Sequence, residues 1–220
     1  MKARQAFVAL LTAGVVGTTV WLVFFSPVLG VRSVEIVGNL TVPADQIKKQ
    51  AAVADLHPLA TVDLGAVQGR VLEIRQLASA KVERAWPSTL KIEVVERKPV
   101  AVVPYGGKAA LIDRKGFVTE VRDSAPPHLP VLRVDRPGPA DPSTVAAIKA
   151  IGVLPDRLLA RIDEVRATSP EGISFRLTNG RTVVWGGADR GADKVRVLEA
   201  LLPRTATVYD VSSPDVVSMK

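Results

Sequence analysis

The chain has 220 residues with 16 glycines, 16 prolines, two histidines, no cysteine and a formal net charge of +7. That length accommodates one or two domains with their own cores, and the lack of cysteine excludes a disulfide framework, a thiolate nucleophile and a cysteine-based zinc site. Aromatics make up only 5% of the residues, which argues against stacked-base recognition of single-stranded nucleic acid.

The uneven spread of hydrophobic residues answers the first question. No residue from 5 to 31 carries a charge, and 6–25 is almost wholly apolar. About 20 helical residues span the roughly 30 Å of a bilayer core. Gly14, Gly17 and the threonines are tolerated there because a helix satisfies its own backbone. Trp21, Phe24 and Phe25 cluster near the far end, where an aromatic belt sits. The stretch is longer than a cleaved signal peptide's hydrophobic region, and residues 26–30 offer no A-x-A-like cleavage site. It also lacks the polar face of an ordinary core helix. Residues 6–29 are therefore expected to be an uncleaved transmembrane signal-anchor behind a short cytoplasmic tail, 1–5. Lys2 and Arg4 place the N-terminus inside and the remainder outside the cytoplasm.

Residues 31–37 form a predicted strand, with Val34 and Ile36 alternating against Ser33 and Glu35. Gly38-Asn39 breaks it, and Pro43 opens a helix with Asp45 near its positive end. Asp63 is a good N-cap for a second helix, in which Leu64, Val67, Val71 and Ile74 share a face. Two strands follow. In the first, Val82, Arg84 and Trp86 alternate with Lys81, Glu83 and Ala85; in the second, Leu90, Ile92 and Val94 alternate with Lys91 and Glu93. The order β-α-α-β-β predicts a small sheet with two helices on one face.

Short strands dominate from 99 onward: 100–103, 109–113 and 117–121, separated by Gly106-Gly107 and Lys115-Gly116. Asp141 caps a helix with Pro142 at its first position and Gly152 past its end. Strands at 173–177 and 182–185 flank Asn179-Gly180, the strongest hairpin signal in the chain. A helix over 191–202 and final strands at 209–211 and 216–219 complete the reading, with Ser213-Pro214-Asp215 between those two strands. The fold class is α+β: a transmembrane helix, a β-α-α-β-β domain, and a mixed β-rich domain with flanking helices.

No chemistry-bearing constellation emerges. His57 and His128 sit beside prolines without metal-ligand spacing. The segment 186–194 lies where a phosphate loop would, but lacks Gly-Lys-Ser/Thr; its aspartates are expected to cap the helix. A Ser-Lys peptidase would use Ser26 or Ser33, and no lysine stands in a matching motif. Beyond Lys2 and Arg4 the positive charge is spread rather than clustered, so a nucleic-acid stripe is not expected. No catalytic residue, cofactor or metal is expected.

Six segments in order behind the anchor carry a resemblance. They are Val34-Glu35-Ile36-Val37-Gly38-Asn39; the stretch 80–101, with Trp86-Pro87-Ser88-Thr89-Leu90 and Glu96-Arg97-Lys98-Pro99-Val100-Ala101; Leu111-Ile112-Asp113-Arg114-Lys115-Gly116; Leu129-Pro130-Val131-Leu132; Leu177-Thr178-Asn179-Gly180 through Gly186; and Lys194 with Leu201-Leu202, followed by Asp210-Val211-Ser212. Together they resemble the FtsQ/DivIB family of bacterial cell-division proteins over nearly the whole chain. The resemblance implies that 31–98 is a POTRA domain and 99–220 the family's β domain. It also implies a non-enzymatic divisome scaffold in the plasma membrane at the septum, which links early cytoplasmic components to late wall synthesis by binding FtsB- and FtsL-type bitopic partners. The POTRA domain and transmembrane helix offer further surfaces to other divisome components. The expected binding mode is strand addition at the C-terminal sheet edge, with Ser213, Asp215, Val216, Val217 and Ser218 as partner-binding residues. Relatives often carry a basic-aromatic pair where this chain has Ser212 and Ser213, so the side-chain anchors differ. The alternative is a POTRA-type assembly or translocation factor for exported proteins.

Overall fold

The structure, a computed structural model, describes residues 2–216 and 218–220, which fall into two compact units, 1–96 and 97–220. The first unit opens with α1 (Lys2–Phe24), long and apolar enough over Arg4–Phe24 to cross a membrane and solvent-exposed along that stretch. The helix stops at Phe24, short of the 6–29 span read from hydropathy. Pro27–Leu29 form a tight 3-10 turn, and Ser26, Gly30 and Val31 are already buried.

Then come β1 (Ser33–Val37), α2 (Ala44–Ala51), α3 (Leu64–Leu72), β2 (Leu77–Ala85) and β3 (Thr89–Glu96). The sheet order is β1-β3-β2, with β1 parallel and β2 antiparallel to the central β3. Leu90, Ile92 and Val94 of β3 point to one side, where they meet Ile47 and Ala51 of α2 and Val67 and Val71 of α3. Leu77 and Ala80 of β2 both join this core despite their odd spacing, because a register shift between Leu77 and Ser79 turns the strand over. Asp63 caps α3 as expected, its side chain accepting from Ala66 N at 2.9 Å. Trp86 departs from its expected place in the β2 alternation. It lies just beyond the strand and is exposed, whereas Arg84 turns its guanidinium onto Leu59 O (2.8 Å) and Val62 O (2.6 Å).

The second unit contains β4 (Pro99–Tyr105), β5 (Lys108–Asp113), β6 (Val118–Arg122), β7 (Val131–Arg133), α4 (Pro142–Gly152), α5 (Asp156–Leu159), β8 (Ile162–Ala167), β9 (Ile173–Leu177), β10 (Thr182–Gly186), α6 (Gly191–Leu201), β11 (Val208–Asp210) and β12 (Ser218–Met219). One nine-stranded sheet runs β12-β11-β10-β9-β8-β7-β4-β5-β6. Its parallel pairs are β4–β7, β7–β8 and β10–β11; α4 with α5 connects β7 to β8, and α6 connects β10 to β11. Those crossovers bury one face of the sheet: Ile173, Phe175, Val183, Trp185 and Tyr209 pack with Ile148 and Ile151 of α4 and Leu198 of α6. Asp113, buried at the end of β5, accepts from Arg97 Nη1 (2.6 Å) and from the N–H groups of Lys115 and Phe117 (both 2.9 Å), fixing the β5–β6 turn.

Candidate partner-binding edge

Among the described residues the sheet ends at β12 on one side and β6 on the other. The C-terminal edge is held from three directions. Beneath it, β10 and β11 are parallel, with Val183 opposite Tyr209. Tyr209 is fully buried and donates its hydroxyl to Arg204 O at 2.6 Å, while Arg181 Nη1 donates to the same hydroxyl at 2.7 Å. Behind the edge, Gly186 (φ +74°) ends β10, where an added Cβ would come within 2.8 Å of Ser212 Cβ. Only glycine lets the chain after β11 pass so close.

After β11 the chain turns. Asp210 Oδ1 accepts from Ser212 N (3.0 Å) and Ser212 Oγ (2.7 Å), and Val216 N donates to Ser213 O at 3.1 Å. The turn is tied down by Arg190, whose Nη1 and Nη2 donate to Asp215 Oδ2 (2.5 Å) and Oδ1 (2.9 Å), a fork-to-fork pair. Hydrogen bonding to Arg190, opposed by partial burial, holds the Asp215 carboxyl below its usual range and raises the Arg190 guanidinium. Arg190 itself occupies the N-cap position of α6 with φ +48°. The expectation that aspartates of 186–194 cap this helix is therefore corrected: no side chain caps it, and Asp193 lies inside the first turn.

Among the described residues the strand expected over 216–219 is seen at Ser218 and Met219, which pair antiparallel to β11, while Val216 lies outside it. Ser213, Asp215 and Val216 lie in the preceding turn, Val216 with its side chain exposed; the remaining expected residue, Val217, lies outside the described residues. The Asp215 carboxylate is engaged within the chain rather than free for a partner. Lys220 and Val208 exchange both main-chain hydrogen bonds, at 3.1 and 3.0 Å. Bonded pairs alternate along antiparallel strands, so Ser218 faces Asp210 as a bonded pair and Met219 turns its own N–H and C=O outward to the open side.

Two residues that shape this edge escaped the sequence reading. Met219 falls in the expected terminal strand but not among the expected contact residues, because main-chain direction depends on pairing phase, which side-chain type does not reveal. Arg190 left one signal: a cation at a helix N-terminus opposes the helix dipole, so something else must hold it there.

Elsewhere, among the described residues no group of three or more His, Cys, Asp and Glu could hold a metal ion. His57 Nε2 lies 3.1 Å from Thr61 Oγ1, His128 is exposed, the Ser26 hydroxyl accepts from Val28 N, and the Ser33 hydroxyl bonds to Thr89 Oγ1 across the β1–β3 pair.

Comparison with known proteins supplies the family. The model for the POTRA domain, FtsQ-type, matches residues 29–97, and that for the FtsQ/DivIB C-terminal region matches 101–217. The chain belongs to the FtsQ/DivIB family of cell division proteins. It is 44% identical over 199 residues to cell division protein FtsQ of Mycolicibacterium smegmatis, covering 90% of this chain and 60% of that protein. The Mycobacterium tuberculosis FtsQ is 37% identical over 221 residues, covering all of this chain and 70% of that protein. The Streptomyces bingchenggensis FtsQ is 35% identical, covering 94% of this chain and 80% of that protein. This chain thus spans between three-fifths and four-fifths of the length of these relatives. The relatives carry the name cell division protein, and in this chain α1 is compatible with a single-pass membrane anchor.

Proposed function

We propose that this protein is a non-enzymatic scaffold of the division complex. It is anchored by α1 with its N-terminus in the cytoplasm and both folded units outside, acts at the septum, and takes a strand from an FtsB- or FtsL-type bitopic partner along β12. In that position it links early cytoplasmic division components to late septal wall synthesis. The observation that carries the reading is the open side of β12, where Met219 offers an outward N–H and C=O from a strand held by β11, Lys220 and the Arg190–Asp215 pair. Main-chain groups exposed on a rigid edge are what strand addition requires. Ser213, Asp215, Val216, Val217 and Ser218 stay in the proposal as the segment a partner runs past, and Met219 joins them as the principal main-chain contact.

The test is binding of the detergent-solubilised chain to the extracytoplasmic segments of the host's FtsB- and FtsL-type proteins. Met219→Pro removes an outward donor while sparing the bonds to β11, so affinity should fall at least about tenfold with the melting curve little changed. Val217→Pro should act in the same direction. Undiminished binding by a folded Met219→Pro protein would overturn strand addition at this edge. No binding to either partner would overturn the partner assignment.

A further inference from the structure

The end of the first unit that lies nearest α1 combines features that packing does not explain. β1 begins at Ser33, β2 ends at Ala85 and β3 begins at Thr89, so the β2–β3 turn lies beside the start of β1, where Arg32 N donates to Ser88 O at 2.8 Å. The loop 54–58 is fastened to the same place. Val31 N donates to His57 O, Leu56 N donates to Val31 O (both 2.9 Å), and Gly30 bridges Pro58. The backbone of Leu56 lies so close to Gly30 that an added Cβ there would sit 2.4 Å from Leu56 O. Helix α1 contacts the following turn, Leu59–Thr61, which Arg84 holds through Leu59 O and, just past the turn, Val62 O. Only eight residues separate Phe24 from Ser33, and Ser26, Gly30 and Val31 among them are buried. This end of the domain is therefore held close to the end of the apolar helix.

Two large apolar side chains project from it. Trp86 is 53% exposed and Leu56 50% exposed, with Phe25 and Val28 exposed on the connecting segment. Leu56 has φ +60°, a left-handed conformation costly for leucine, yet its side chain gains no core burial in exchange. Neither backbone preference nor packing accounts for a leucine there. The charged groups beside them are Arg32 and Asp55, both exposed.

We propose that this end of the domain rests on the bilayer, with Trp86 and Leu56 seated in the headgroup region of the leaflet from which α1 emerges. A tryptophan at that depth satisfies its ring and its N–H together, and an apolar side chain held at a strained position gains by leaving water. The occupant is lipid because continuity with α1 brings these side chains to membrane depth. The contact would fix the tilt of the first unit and its height above the membrane. The proposal rests on α1 being a membrane anchor.

The chain contains no cysteine, so single-cysteine variants report one site each. His57→Cys places a thiol on the loop beside Leu56, and Leu40→Cys places one on the exposed loop after β1, at the other end of the sheet. Each full-length variant is reconstituted into phosphatidylcholine–phosphatidylglycerol vesicles, floated on a density gradient, and reacted with a water-soluble maleimide. The comparison background is Trp86→Ser with Leu56→Asn, which removes both apolar groups while asparagine accepts the positive φ. Position 57 should label at least about fivefold more slowly in the parent than in that background, with position 40 unchanged between them. Equal labelling of position 57 in both backgrounds, in vesicles that float, would overturn the membrane contact and leave the anchor standing. Failure to float would refute the anchor itself. Protection of position 57 that appears only after a division partner is added would overturn lipid as the occupant in favour of protein.

Discussion

Glu96 is the main tie on the loop after β1, beside a bond from Asn39 Nδ2 to Val42 O (3.0 Å). Its carboxylate accepts from the N–H groups of Leu40 (2.6 Å), Thr41 and Val42 (both 2.9 Å), and also from the Thr41 hydroxyl. Burial pushes its pKa up, but the Thr41 hydroxyl and these three backbone donors outweigh that and bring it to about 2. Because the folded value is depressed, the stabilisation is complete above the ordinary glutamate range and is lost as pH falls from about 4.5 towards 2. Acid titration of the unfolding midpoint should show a fall across that window in the parent and a flatter profile in Glu96→Gln. Near neutral pH the variant should be less stable by about 1 kcal/mol, the size expected for charge-assisted bonds at a partly exposed site. Asp63→Ala removes the only side-chain cap of α3 and should cost about 1 kcal/mol in chemical denaturation. If either change leaves the denaturation curve unmoved, that carboxylate is not stabilising its element.

At the scale of elements, the Arg190–Asp215 pair joins the start of α6 to the turn before β12, two segments that share no regular hydrogen bonding. Arg190→Ala and Asp215→Ala should each speed hydrogen exchange at the Lys220 amide, which donates to Val208 O, while amides of β9 stay protected. The exchanged pair, Arg190→Asp with Asp215→Arg, should restore much of the protection; equal exchange in all three variants would show that the pair does not hold the edge. Elements with a clean period and strong punctuation were legible in the sequence. β3 alternates from Thr89 to Val94, and the β9–β10 hairpin turns at Asn179-Gly180 with Gly180 at φ +83°. β8 was missed because a register shift between Ile162 and Glu164 puts Glu164 and Val165 both out of solvent, which destroys the alternation. Glu164 is tolerated there because Arg133, Arg166 and Arg176 each reach its carboxylate, and two of the three, Arg133 and Arg176, come from the neighbouring strands β7 and β9. β7 has only three residues, too few for any period. The terminal edge was legible as a strand but not in its extent, because the Asp215 tie that keeps 213–216 in a turn joins residues 25 apart.

For the whole molecule, the boundary between α1 and the folded domain does not coincide with the end of the apolar run. Ser26, Gly30 and Val31 are buried, and Val31 belongs to the core of the first unit. A soluble form beginning at residue 26 should therefore melt higher than one beginning at 33. Val31 alone accounts for about 1.5 kcal/mol of that difference, the usual worth of a buried valine side chain. Calorimetry of the two forms decides it, and equal melting temperatures would place residues 26–32 outside the folding unit. With no cysteine in the chain, neither form's melting should respond to reductant.

The parallel pairing of β1 and β3 also has a mechanical meaning. A pull applied through α1 would reach β1 at Ser33, and one applied through the chain after β3 would reach it at Glu96, which lies at the opposite end of the pair. Tension along the chain therefore slides the two strands past each other lengthwise, so the bonds between Ser33–Val37 and their partners share the load at once instead of opening one after another like a zip. A load applied across the two ends of this domain therefore meets it in its stiffer direction.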